Sequence, residues 1–99
     1  MIFLHYSVII ISDKSFNFEN TLCINEHIEF IDDCHILYKE ETISFDYLIY
    51  TDYSLVSKQK EIGILTENKI PITNYEKQTL IENIYYCSSN EVDEVINNL

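Results

Sequence analysis

The run Val8-Ile9-Ile10-Ile11 constrains the fold more than any other stretch of this chain. It lies inside a longer apolar segment, Phe3 to Ser12, that shows no alternation of apolar and polar residues. Side chains of a strand point alternately to its two faces, so an unbroken apolar run needs cover on both. Strands of that kind sit inside α/β sheets, usually in parallel pairing. A chain of 99 residues can supply such cover once, in one domain spanning residues 1–99. At this size folding buries only roughly 60–65% of the unfolded surface, so a partner subunit or a homo-oligomer would add stability.

The remaining elements follow from local pattern. Asp13 to Asn20 is polar and irregular, with Phe16 and Phe18 as apolar pins. Leu22 to Thr51 is expected to form a three-stranded meander with turns near Asp32-Asp33 and Glu40-Glu41. Two-residue turns there would place Ile31, Cys34, Ile36, Tyr38, Ile43, Phe45 and Tyr47 on one buried face. The opposite face would then pair His35 with Asp46 and Glu26 with Lys39. Asp52 to Lys69 is irregular, with room for a short helix around Ser57 to Ile62. Lys69 to Thr73 is a short strand whose Pro71 suits an edge, and Asn83 to Ser88 is a further buried strand. Ser88-x-x-Glu91 is a capping-box pattern, and Val92, Val95, Ile96 and Leu99 continue it as a short amphipathic helix. The expected fold class is therefore α/β or α+β: a small, mostly parallel sheet, a three-stranded antiparallel meander, and one or two short helices.

Charge narrows the function. The chain carries 17 acidic residues, six lysines and no arginine, for a net charge of −11. Direct binding to nucleic acid or to an acidic membrane requires positive charge, so neither is expected. One glycine and one proline leave no material for a glycine-rich phosphate loop. Cys23, Cys34 and Cys87 form no CxxC and no even disulfide set, and the apolar N-terminus lacks a basic n-region and is short for a bilayer span. A cytoplasmic protein is expected.

From Ile28 onward the order of elements resembles the FAD-binding domain of pyridine nucleotide-disulfide oxidoreductases, the thioredoxin reductase and NADH oxidase superfamily. "HIEFIDDCHILYKEETISFDYLIYTDYS" is similar to that family's β-meander and the strand leading to its Ala-Thr-Gly, with Asp46 at the acidic position and Thr51 at the threonine. "IGILTENKIPITNYEKQTLIENIYYCSSNEV" is similar to the later segment that runs through Ile-Tyr-Ala into Gly-Asp, with Thr79, Ile84 and Tyr85 matching. The two stretches span roughly two thirds of the chain. The resemblance implies a flavoprotein-like fold, and the departures fall at its cofactor contacts. Ser12-Asp13-Lys14 follows the first strand where the family has Gly-x-Gly-x-x-Gly, whose glycines admit the pyrophosphate. Asp52 replaces the glycine of Ala-Thr-Gly, and Ser88-Ser89 replaces Gly-Asp. No cofactor is expected.

Three other readings compete for the polar residues. His27, Cys34 and His35 are a possible metal set, but Cys34 and His35 as strand neighbours would face opposite ways, so no metal site is expected. Cys87 lies between a strand and a helix cap, where a helix N-terminus lowers a thiol pKa. No basic residue is near it in sequence, and the reading leans against an enzyme. Eight tyrosines remain, a residue suited to interfaces. Tyr50, Asp52, Tyr53, Tyr75, Tyr86, Ser88 and Ser89 form the candidate interaction surface. The expected function is a non-catalytic accessory or protein-interaction domain with a reduced flavoprotein fold, its partner an oxidoreductase subunit or another basic protein. The alternative is an acidic nucleic-acid mimic, of phage or mobile-element type, that inhibits a basic nucleic-acid-binding protein.

Overall fold

The computed structural model describes residues 4–99. Phe3, at the start of the expected first strand, lies outside them. The apolar run forms β1 (Leu4–Ile11), followed by β2 (Thr21–Ile24), β3 (Ile28–Phe30), β4 (His35–Tyr38) and β5 (Glu41–Tyr50). β6 (Val56–Ser57), the hairpin β7 (Thr66–Glu67) and β8 (Ile70–Pro71), β9 (Ile84–Tyr86) and one helix, α1 (Val92–Asn97), complete the chain. The fold is α+β. No helix among the described residues is long and apolar enough to cross a membrane.

One mixed sheet replaces the expected parallel sheet with a separate meander. β5 runs parallel to β1 along one edge. Its other edge pairs antiparallel with β4 at Glu41–Ser44 and parallel with β9 at Leu48–Tyr50. β2 extends the sheet beyond β1, while β3 and β6 extend it beyond β4. The meander is fused into the sheet because β5 is long enough to serve both halves. Asn83 sits at the fork: its Nδ2 donates to the carbonyls of Asp33 and Asp46 at 2.7 and 3.0 Å. One side chain thus joins β5 to the turn before β4, at the row where β4 leaves and β9 begins.

The two-sided cover required by Val8–Ile11 is present. Ile9, Ile11, Leu48, Tyr50 and Ile84 face a larger core with Ile28, Phe30, Ile36 and Ile64. Val8, Ile10 and Ile49 face a smaller one built with Cys87, Val92 and Val95. No helix links the parallel neighbours β1 and β2; Phe16 and Phe18 from their connection lie over the smaller core instead. Burial parity changes in both central strands at the same row. Tyr6 and Phe45 face the larger core, yet Val8 and Tyr47 face the smaller one.

The meander register differs from expectation, and loop length explains it. Ile31 continues the pairing one step past Phe30–Ile36, its amide and that of Asp32 donating to the His35 carbonyl, so three residues, Asp32 to Cys34, close the turn. An odd loop reverses the faces of β3, so Ile28 and Phe30 are buried and Ile31 is 46% exposed. The β4–β5 turn is Lys39-Glu40, one residue earlier than expected, which pairs Ile36 with Ile43. This even offset leaves Ile36, Ile43 and Phe45 on the buried face, as expected. The expected helix over Ser57 to Ile62 is absent: Ser57 ends β6, and the following residues form turns closed by Ile64 N donating to the Gln59 carbonyl. A single glycine does not prevent tight turns. Lys39-Glu40 and Asn68-Lys69 both carry positive φ at two successive residues, the backbone of a type I′ hairpin.

Left-handed backbone costs a non-glycine residue about 1–2 kcal/mol. Replacing Lys39-Glu40 by Asn-Gly, the pair this turn prefers, is expected to raise stability by about 1 kcal/mol. Urea midpoints of the wild type and the double variant, at equal m-value, measure it.

Candidate functional site

In an open sheet with parallel strands, ligands bind outside the carboxyl ends of the strands where their order reverses. Here the parallel strands lie in the order β2-β1-β5-β9, and the reversal falls at β1. The corresponding ends are Ser12, Thr51 and Asp52. Polar side chains and backbone from the chain itself fill this position. Thr51 Oγ1 donates to Ser12 Oγ at 2.9 Å, and the Lys14 amide donates to the same Ser12 oxygen at 3.2 Å. The Thr51 amide donates to the Ile11 carbonyl at 3.0 Å, tying the two strand ends together. Asp52 Oδ1 accepts from Ser54 N at 2.9 Å and Ser54 Oγ at 2.6 Å. The carboxylate caps a short 3₁₀ turn over Tyr53–Leu55. It is an N-cap by the usual chemistry of aspartate.

The seven residues of the candidate surface divide four ways. Tyr50 is fully buried: its ring makes edge contacts with Phe30 and Tyr86, and its hydroxyl donates to Gln59 Oε1 at 2.8 Å. It offers no area to a partner, because the strand parity that ends β5 points it into the larger core. Asp52, Tyr53 and Tyr86 stand together at the end of the sheet. Burial pushes the Tyr86 hydroxyl up, helped by the nearby charge of Asp52. Ser88 and Ser89 open the C-terminal helical segment. Tyr75 stands apart from both groups, 91% exposed at the rim of a cleft of about 310 Å³ with Lys77, Tyr85 and Glu91.

The capping pattern at Ser88 does form. Glu91 Oε1 accepts from Ser88 N at 3.1 Å and Ser88 Oγ at 2.9 Å. Lys77 Nζ reaches the other oxygen at 3.0 Å. The Ser88 amide first, then Lys77 and the Ser88 hydroxyl, hold the Glu91 carboxyl below the ordinary glutamate range. Cys87, one residue earlier, is buried. Its thiol is pushed up to about 12, chiefly by burial and then by the Glu91 charge. Cys87 is thus a buried core thiol and not one activated by the helix N-terminus, since burial and a neighbouring carboxylate both oppose a thiolate.

Two groups that sequence reasoning left apart come together. Cys34 is in the turn before β4 and not in the strand, so the alternation rule does not separate it from His35. His35 Nδ1 lies 3.2 Å from Cys34 Sγ and 2.9 Å from Asp32 Oδ1. His35 therefore partners Asp32, and Asp46 instead lies 3.4 Å from His5 Nε2. Burial first, then Asp32 and Asp33, push the Cys34 thiol up to about 11. The expected Glu26–Lys39 pair forms at 3.2 Å. His27 bonds Ser57 Oγ at 2.6 Å, away from the cysteine.

A second grouping is a surface of large apolar residues between Leu65 and Leu80. Leu65 is 56% exposed, Ile70 49%, Ile72 44% and Leu80 61%. Ile70 and Ile72, on either side of the buried Pro71, are both exposed. The Ile72 amide donates to the Leu65 carbonyl at 2.9 Å, and Ile72 and Leu80 line one shallow cleft with Thr73, Asn74 and Gln78. The signal was present in the sequence as Leu65, Ile70, Ile72 and Leu80 at polar-flanked positions, but nothing local tells an exposed apolar residue from a core one. Compared with known protein families, curated proteins and solved structures, the chain matches none.

Native-state thiol labelling is expected to modify Cys34 well before Cys87, with Cys87 reacting only after denaturation; peptide mapping after iodoacetamide reads the order. The Glu91 carboxylate contributes stability that is complete above the ordinary glutamate value of about 4.3. It is lost as pH falls through the depressed folded value. The stability gap between wild type and Glu91→Gln should therefore shrink on acidification from about pH 6 to about pH 3. Urea titrations at the two pH values measure that gap.

Proposed function

We propose that this chain is a non-catalytic protein-interaction domain that docks through the apolar surface of residues 65–80. One observation carries the reading: four large aliphatic side chains, each 44–61% exposed, fall within sixteen residues, whereas the other exposed aliphatics, Leu4, Ile31, Leu37 and Leu99, are scattered along the chain. Scattered exposed aliphatics need no explanation, whereas clustered ones rimmed by polar residues mark association surfaces. The flanking charge is slightly acidic, Glu67 and Glu76 with the adjacent Glu82 against Lys69 and Lys77. The partner is accordingly a protein with an apolar contact area and lysines or arginines around it, such as a subunit of a larger enzyme. The net charge of −11 sets the encounter rate and the choice of sign; the aliphatic contact sets the affinity.

The relationship to flavoprotein domains is part of the same proposal. The parallel order β2-β1-β5-β9, with the meander entering between β2 and β5, supports a reduced dinucleotide-binding arrangement. The self-bonded strand ends at Ser12, Thr51 and Asp52 support a domain that has given up the ligand and kept the sheet. A cytoplasmic location is proposed on the three free thiols.

The test uses the double variant Ile72→Asp/Leu80→Asp. Both positions are exposed, so folding stability should change by less than about 0.5 kcal/mol. Affinity capture from the native host should recover a stoichiometric partner with the wild type at moderate salt and lose it with the variant. Equal recovery by both proteins removes this surface from the reading. A partner released by salt alone points to charge mimicry in its place.

A further inference from the structure

The turn between β3 and β4 carries Asp32 and Cys34, and His35 opens β4, with the donor atoms of all three converged. Oδ1 of Asp32, Sγ of Cys34 and Nδ1 of His35 all lie within 4.8 Å of one another. We propose that this loop binds a borderline-soft divalent transition metal of the zinc class through those three side chains, with the remaining position open to solvent or to a partner's side chain.

Geometry is the first support. Tetrahedral zinc bonds of about 2.0–2.3 Å place neighbouring ligand atoms roughly 3.3–3.7 Å apart. The observed separations of 2.9 Å (Asp32 to His35) and 3.2 Å (Cys34 to His35) are a few tenths shorter. An outward turn of these partly exposed side chains would open that space. Partial exposure of His35 and Asp32, at 36% and 50%, leaves an entry path.

The loop is also held in place. The Cys34 amide donates to Asp32 Oδ1 at 2.9 Å, and the Cys34 carbonyl accepts from the Phe45 amide at 3.0 Å. Asn83 ties the Asp33 carbonyl into the fork of the sheet at 2.7 Å. A site anchored by the fold loses little conformational entropy on closing around an ion. Donor chemistry sets the choice of metal. A thiolate and an imidazole favour zinc-like ions, whereas magnesium and calcium require oxygen donors in larger number. Asp33, adjacent in the loop, adds the negative field that a dication neutralises.

Cobalt(II) and zinc(II), each added alone to the reduced full chain, are the probes. One equivalent of cobalt should produce thiolate-to-metal charge-transfer absorption with tetrahedral ligand-field bands, and zinc should bleach both. Cys34→Ser should abolish the charge-transfer band. Asp32→Asn and His35→Gln should each weaken cobalt binding at least tenfold, with circular dichroism unchanged. The double variant His5→Gln/His27→Gln, which alters the two histidines outside the loop, should bind as the wild type does. No stoichiometric binding, cobalt bound without a thiolate band, a band that survives Cys34→Ser, or a dependence on His5 or His27 would each overturn the proposal.

Discussion

Everything in this fold hangs on β5, which shares both edges and both faces. Its ten residues pair with β1 along one side and with β4, then β9, along the other. A strand in that position can leave no backbone group unpaired and no apolar side chain uncovered. Tyr47 to Tyr50 meets the second demand by being apolar or aromatic at every position. Asn83 meets the first where the partner strand changes, because an amide side chain can donate twice across the gap. The parity change near Asp46 belongs to the same solution. Ahead of that row the strand serves the meander, with one buried face; beyond it, two cores need side chains at every residue.

That arrangement was partly legible in the sequence. Val8 to Ile11, lacking alternation, specifies two covered faces whatever the cover is made of. Ser88-x-x-Glu91 specifies a helical start through short-range bonding that tertiary structure did not override. What escaped was counted in single residues. Whether the loop after β3 holds two residues or three decides which side of β3 is buried, and Asp32-Asp33-Cys34 gives no local sign of its length. The turn at Lys39-Glu40 was hidden for a related reason. Its backbone favours asparagine and glycine, and here the sheet on either side holds two charged residues in a conformation they would not choose alone.

The candidate surface was less legible than the fold, and in opposite directions. Tyrosine reads as interface or core with equal ease, so Tyr50 and Tyr75 look alike in sequence and lie at the two extremes of burial. Leu65, Ile70, Ile72 and Leu80 look no different in sequence from core aliphatics such as Ile64 and stand outside. The cause is size. With one short α-helix among the described residues and no crossover helix between β1 and β2, Phe16, Phe18 and the C-terminal helical segment lie over the smaller core. Among the described residues no further element lies over the β7–β8 hairpin. A small domain that exhausts its apolar cover on one sheet leaves its appendages bare, and bare aliphatics are stable where a partner covers them.

The self-bonded strand ends and the bare hairpin are two aspects of one economy. A ligand site at the reversal of strand order needs backbone donors free to meet an anion, and glycine to let the ligand approach. This chain uses its Ser12 and Thr51 hydroxyls on each other and its Asp52 carboxylate on its own turn, which stiffens the ends of β1 and β5 without any bound group. Stiffness gained there makes the sheet a fixed base for what projects from it. The apolar hairpin region and the Asp32–His35 loop both spring from that base. The loop is joined to it by Asn83 and the hairpin region by the bonds of Thr79 Oγ1 to the Ile84 carbonyl and Thr79 N to the same oxygen. On the proposed reading, the projecting hairpin region is where a partner would meet this molecule.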